Sequence, residues 1–383
     1  MAEAGPTQVL YLAHDLDDSA IWRRHDMLRQ GGAEVRLAGF RRGTGRLPGA
    51  ALVLGQTRNG RMAARAAAVL RCLPGLAGRL GDGPPPDVII ARNLEMLALA
   101  VSLRRTYPAA RIVYELLDIH RLLLGRGLAS RMLRAIEAGL MRQVALVIVS
   151  SPGFVRNYLT PFDRPARRVV LVENKPFRTS GQAHPVRAEG PIRIGWFGVL
   201  RCAWSLAMLD RLTRADPGRW QVILRGKPAL DVVPDFHATV QANPDIAYLG
   251  PYRWPDDLAE IYAGIDLAWL IDRYEAGGNS DWLLPNRLYE GCAQGAVPLA
   301  LDGTEVAARL RSLGIGVIAS GPDEDDLRAA LVGVDSAGIA SLRGGLAAVP
   351  RSTWEAGPDD SRALVALLED RDSAVVPDGW VLA

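Results

Sequence analysis

The segment of this chain with the richest chemistry is NSDWLLPNRLYEGCAQGAVPLA, from Asn279 to Ala300. Asn279 and Ser280 stand ahead of Pro285, a residue suited to the first turn of a helix. In that helix Asn286, Arg287 and Glu290 are spaced to share one face. Gly295 ends it, and AVPLAL follows as a buried strand. A carboxylate in that position can accept both hydroxyls of a ribose, while Arg287 or the helix N-terminus meets a phosphate. A surface ion pair between Arg287 and Glu290 is the competing reading. Two other segments suit a diphosphate. In GWFGVLR, Gly195 and Gly198 bracket a strand-to-helix turn with Arg201 behind it, a setting in which backbone N–H groups and the helix dipole face an anion. In LRGKP, Arg225 and Lys227 flank a glycine, one a planar fork and the other a point charge. The GxGxxG spacing of a dinucleotide site is missing.

Such residues need a frame that brings strand ends together. Apolar runs of strand length alternate with segments of helical period along most of the chain. In the first half they are QVLYLA, EVRLAG, ALVLG, DVIIA, RIVYE, VALVIVS and VVLVE. The pattern then stops for PFRTSGQAHPVRAEGP and restarts with IRIGWF, WQVILRG, IAYLG, IDLAWLI, AVPLAL and GVIA. Strands alternating with helices predict mostly parallel, doubly wound sheets, and an interruption of breaker residues predicts a linker. The expected division is therefore an amino-terminal α/β domain over 1–178, a linker at 179–190, a second α/β domain over 191–353, and a carboxyl-terminal helix and tail over 354–383. Ligands of open α/β sheets bind beyond the carboxyl ends of the strands, so residues directly after strands carry the weight.

Composition narrows the class. The 383 residues suffice for two domains, and the net charge of +3 conceals a split. Residues 1–180 hold 27 Lys/Arg against 14 Asp/Glu, whereas residues 181–383 hold 18 against 28. No apolar run is long enough for a membrane span. Glu3, with no positive charge ahead of the first apolar run, argues against a secretory signal. Cys72, Cys202 and Cys292 lie far apart, which suits a reducing cytosol and neither a disulfide framework nor a zinc site. The basic excess is spread too thinly for a nucleic-acid module. The five histidines are too dispersed for a metal cluster, so no metal is expected.

The segment PNRLYEGCAQGAVP resembles the proline-(Lys/Arg)-x-x-Glu-x-x-x-x-Gly-x-Pro signature of GT-B glycosyltransferases, whose carboxyl-terminal domain binds a nucleotide sugar. YLAHDLDDSAIWRRHDMLRQGGAEVRLAGFRR, YELLDIHRLLLG, LVIVSSPGFVRNYL, LVENK and GPYRWPDDLAEIYAGIDLAW are similar to bacterial exopolysaccharide glycosyltransferases of the succinoglycan type. The likeness spans about residues 8–320. It implies two Rossmann-like domains facing a central cleft. Many retaining members carry two glutamates with seven residues between them; Glu290 matches the second, and Trp282, beside Asp281, stands where the first would be.

The resemblance points to the loop after RIVYE, with Glu115, Asp118 and His120. Asp118 or His120 would serve as the base that takes the acceptor hydroxyl proton. His14 and Asp15, after the first strand, form a second pair for that role, with Asp18 and Ser19 as helix caps. Ser151 stands at another strand mouth, either touching the acceptor or capping a helix, and Tyr252 is placed to stack on a nucleobase or to pack the core. The implied activity is transfer of a hexose, glucose foremost, from a UDP-sugar to a lipid-linked oligosaccharide at the inner face of an anionic plasma membrane. Arg23, Arg24, Arg29, Arg41, Arg42 and Arg46 are candidates for that membrane contact. A nucleotide-sugar epimerase or hydrolase, and a non-catalytic sugar-nucleotide-binding partner, are the competing readings.

Overall fold

A computed structural model describes residues 5–57, 62–164, 168–177, 190–369 and 380. It divides into two compact units, one formed by Met1–Asn174 with Ala356–Ala383 and the other by Lys175–Glu355. The linker expected at 179–190 lies outside the described residues apart from Gly190.

The first unit is built on a wholly parallel sheet of seven strands: β1 Gln8–Ala13, β2 Glu34–Arg41, β3 Leu52–Gln56, β4 Val88–Arg92, β5 Arg111–Leu116, β6 Leu146–Val149 and β7 Val169–Leu171. Their order is β3-β2-β1-β4-β5-β6-β7. The direction of winding reverses between β1 and β4, which opens a crevice at their carboxyl ends. β1, β4 and β6 are almost continuously buried because helices cover both faces, and this explains their unbroken apolar runs.

The carboxyl-terminal segment, expected as a tail following the second domain, belongs to the first unit instead. Helix Pro358–Leu368 packs on helix Ser19–Gln30, where a Cβ at Gly31 would come within 2.2 Å of the Ser361 carbonyl oxygen. The guanidinium of Arg111 donates to the carbonyl of Leu368 at 2.9 Å.

The second unit holds a parallel sheet of six strands: β8 Ile192–Leu200, β9 Trp220–Pro228, β10 Ile246–Tyr248, β11 Leu267–Trp269, β12 Val297–Leu301 and β13 Val317–Ala319. The order β10-β9-β8-β11-β12-β13 places the reversal between β8 and β11. Its core has two layers. Trp196, Trp220, Trp269 and Phe236 lie in one, and Phe197, Tyr262, Leu288 and Tyr289 in the other.

One local expectation fails here. Gly195 and Gly198 do not bracket a turn, because β8 runs on to Leu200 and pairs in register with β9 as far as Leu200 opposite Pro228. Gly195 is needed for packing, since a Cβ there would lie 2.6 Å from the Ile265 side chain. Gly226 faces Gly198 in the ladder, has φ of +129°, and would put a Cβ 1.9 Å from the Gly198 carbonyl oxygen. The pair lets two strands approach at a point where the apolar run alone signals the end of a strand.

Candidate active site

In the second unit the residues of interest gather at the carboxyl end of the sheet. Arg201 follows β8 and Asp272 follows β11, so they flank the point of reversal, and their charged groups are 3.5 Å apart. The Arg201 guanidinium also lies over the Tyr274 ring, 4.8 Å from its centroid. Arg225 and Lys227 alternate with Leu224 and Gly226 along β9 and thus project from the same face, beyond Ile223. Arg225 donates weakly to the Pro251 carbonyl at 3.5 Å and its Nε has no partner, while Lys227 is exposed. Tyr252 sits edge-on to Phe197, with ring centroids 6.5 Å apart, so it packs against the core while remaining half-exposed.

The helix expected around Pro285 is present as Asn286–Ala293, with Pro285 at its cap rather than in its first turn and a left-handed Gly295 behind it. Glu290 is buried on it, and Asn286 and Arg287 are half-buried. Arg287 donates to the Leu270 carbonyl at 3.3 Å, which ties the helix to the end of β11, and its Nε has no partner. Gly291 lets the helix sit on Tyr262, since a Cβ there would lie 3.2 Å from the ring. The Tyr262 hydroxyl is buried without a hydrogen-bond partner. Burial first, then the nearby Glu290 carboxylate, push this phenol well above its ordinary range, so it stays a donor. A buried carboxylate, an orphaned phenol and an under-used guanidinium are therefore collected around one helix. Sequence pattern offered no signal for Tyr262, which reads as an ordinary core residue.

Asn279 and Ser280 build the neighbouring loop. The Asn279 amide donates to Glu275 at 2.9 Å, and Ser280 Oγ accepts from the Glu275 backbone N–H at 2.9 Å. Asp281 accepts from the Gly277 backbone N–H at 2.6 Å. Both Asn279 and Ser280 are buried, so they shape the loop that a ligand would meet.

In the first unit, strand-end residues also cluster beside the reversal. His14 follows β1 and Asn93 follows β4, with Asn93 Nδ2 3.5 Å from His14 Nδ1. Asn93 has φ of +69°, uncommon for a residue with a side chain, and its buried Oδ1 accepts nothing. It was missed in the sequence because nothing in ARNLEM marks a left-handed residue. Asp118 is exposed and His120 half-buried, and both line a cavity of about 230 Å³ together with Asn93, Glu95 and a wall of apolar side chains. His120 Nδ1 accepts from the Leu122 backbone N–H at 3.2 Å, capping a short helix and fixing the ring.

The remaining candidates have structural partners. Glu115 is wholly buried, accepts from Tyr11 at 2.7 Å and from Arg24 at 2.7 Å, and lies 3.5 Å from Arg92. Burial alone would raise its carboxyl, but Arg24 and Arg92 hold it below the usual carboxylate range. It therefore anchors β5 to helix Ser19–Gln30 and β4, out of contact with solvent. Ser151 is also fully buried and caps the following turn by accepting from Gly153 at 3.2 Å. Asp15 is buried 3.2 Å from Arg42, and burial raises its carboxyl. Asp17 is held at 2.7 Å by Arg41, and Asp18 caps the helix through Ala20 at 2.9 Å. Arg23 and Arg24 are buried rather than part of a basic surface. Arg23 donates to the Asn174 carbonyl at 2.6 Å and Arg24 to that of Val172 at 3.0 Å.

No set of three His, Cys, Asp or Glu side chains suited to a metal ion occurs among the described residues. No described helix is long and apolar enough to cross a membrane.

Residues 8–175 match the family described as "Glycosyl transferase 4-like domain". Over 340 residues the chain is 45% identical to the succinoglycan biosynthesis protein ExoL of Rhizobium meliloti (strain 1021), covering 85% of this chain and 84% of that protein. Among solved structures, Anabaena Alr3699/HepE in complex with UDP and glucose superposes with a TM-score of 0.64 at 15% identity, covering 94% of this chain and 98% of that one. Sucrose-phosphate synthase from Thermosynechococcus elongatus gives 0.68 at 14% identity, covering 94% and 96%. These likenesses extend across both sheets, and with the strand-end constellation they identify the chain as a GT-B glycosyltransferase of the family that contains ExoL.

Proposed function

We propose that this chain transfers a hexosyl group, glucose foremost, from a UDP-sugar to a lipid-linked saccharide during assembly of an exopolysaccharide. The observation that carries the donor half is Glu290, buried on helix Asn286–Ala293 beside the unpartnered Tyr262 hydroxyl and the half-used Arg287. Glu290 accepts the two ribose hydroxyls, and Arg287, Arg225 and Lys227 offset the diphosphate charge, so the reading calls for no metal. Tyr252 gives the nucleobase a ring face. A UDP donor is further supported by the HepE structure, which holds UDP and glucose, and a role in exopolysaccharide assembly by the name of the ExoL relative, a succinoglycan biosynthesis protein.

The acceptor half rests on Asp118 and His120, which line one cavity at the carboxyl edge of the first sheet. The acceptor hydroxyl oxygen attacks the anomeric carbon, and the bond from that carbon to the diphosphate oxygen breaks. Its electron pair leaves with UDP, while the hydroxyl proton passes to Asp118 or His120. General-base help of this kind contributes about 10²–10⁴-fold.

The test is to incubate the chain with UDP-hexoses and a lipid-extracted saccharide acceptor, following UDP and product. Acceptor-dependent UDP release that falls about 10²-fold or more in Asp118→Asn or His120→Ala, with UDP binding unchanged, is the expected result. UDP release at the same rate without acceptor would instead identify a hydrolase.

A further inference from the structure

A helix on a protein surface ordinarily turns its charge outward and its carbon inward. Helix Leu128–Met141 departs from this. Its inward face buries Ser130 and Glu137 along with Met141, and Glu137 accepts from the hydroxyls of Tyr114, at 3.0 Å, and Tyr158, with Arg164 3.4 Å away. Its outward face presents Leu128, Met132 and Ile136, at i, i+4 and i+8 and 81%, 65% and 48% exposed, with the exposed Ala129, Arg131 and Ala135 between them. Leu122, from the turn packed on this helix, is exposed too.

Exposed charge within this segment has one sign. Arg121, Arg126, Arg131 and Arg142 are all exposed, and the only acid from 121 to 142 is the buried Glu137. The apolar surface also continues inward. Ile136 and the exposed Leu70 of helix Met62–Cys72 line the cavity that Asp118 and His120 share.

We infer that this face is a membrane contact, in which Leu128, Met132 and Ile136 enter the boundary between headgroups and acyl chains of an anionic bilayer. Arg121, Arg126, Arg131 and Arg142 meet the lipid phosphates. Exposed carbon flanked by cations, with Asp118 and Glu95 set back in the adjoining cavity, is complementary to an anionic lipid surface. The contact stands on these observations alone; its use rests on the proposed lipid-linked acceptor. For such a substrate it sets Asp118 and His120 beside the surface on which the acceptor is anchored.

The experiment is sedimentation of the full chain with vesicles of phosphatidylglycerol or of phosphatidylcholine at low salt. The chain should bind the anionic vesicles and be released from them by salt. Arg126→Gln with Arg131→Gln should weaken that binding about 30-fold, the worth of two cations at an anionic surface. Met132→Asp with Ile136→Asp should weaken it by about ten-fold or more, while Val332→Asp, at an exposed apolar site in the other unit, leaves it unchanged. UDP binding and thermal unfolding confirm that each variant is folded. Absence of vesicle binding, or binding unaltered in folded Met132→Asp/Ile136→Asp, would overturn the inference. So would a dimer of the wild type that this double substitution dissociates, since the face would then join two copies. Vesicle binding without any sugar transfer would uphold the contact and count against the proposed function.

Discussion

Glu290→Gln preserves the shape of a buried side chain on helix Asn286–Ala293 and removes only its charge. A hydrogen bond to a charged acceptor contributes about 1.5–3 kcal/mol, and one between neutral groups about 0.5–1.5. Two ribose hydroxyls that donate to Glu290 would each lose about 1 kcal/mol in the variant. The total, about 2 kcal/mol, corresponds to UDP binding about 30-fold more weakly. Calorimetric titration with UDP reads this directly, and thermal unfolding checks that the fold is intact. A dideoxy-UDP lacking both ribose hydroxyls completes the cycle, because the substitution should change its affinity by less than about two-fold. An unchanged UDP affinity in a folded variant would refute the ribose assignment. An equal loss for both nucleotides would refute it as well, since Glu290 would then act through the shape of the site.

Glu115→Leu should destabilise the first unit by about 3–5 kcal/mol, because Arg24 would remain buried without its counter-charge and Arg92 would keep only Asp18, 3.7 Å away; denaturant unfolding measures it. The Glu115 carboxyl is held low in the folded chain, so its contribution is complete above the ordinary carboxylate pKa. It is lost as pH falls through the lowered value, a loss that the Leu variant should not show. Gly226→Ala should cost about 3 kcal/mol through a clash with the Gly198 carbonyl and a disfavoured φ. It should also weaken UDP binding by displacing Arg225 and Lys227, which titration would detect. Gly31→Ala should loosen helix Pro358–Leu368 from helix Ser19–Gln30 and speed proteolysis of the carboxyl-terminal segment; an unchanged cleavage rate would argue that the contact yields without cost.

Much of the frame was legible because hydrophobic period is a local property. QVLYLA, VALVIVS and AVPLAL read as buried strands from composition alone, and β1, β6 and β12 lie within those runs. The helix bearing Glu290 was legible for the same reason, with its proline ahead and its glycine behind. The turn read from GWFGVLR was wrong because a glycine that relieves a clash between strands looks like one that ends a strand. Only the partner strand, with Gly226 opposite Gly198, distinguishes them.

Side-chain roles divided along the same line. Residue type and spacing nominated Arg225, Arg287 and Glu290, and the family resemblance pointed to Asp118 and His120. Burial and partners decided the rest. Glu115 and Ser151 became anchors, Arg23 and Arg24 went inside, and Asn93 and Tyr262 emerged as buried polar groups with an unpartnered atom. The even spread of arginine through the first half likewise concealed a helix that buries a glutamate and exposes a row of carbon, visible only when each residue has an exposure. Local order along the chain sets which segments become strands and helices. Which charges cancel, which polar atoms lack a partner and which carbon faces water depends on residues far apart in sequence, and those encounters exist only in the folded chain.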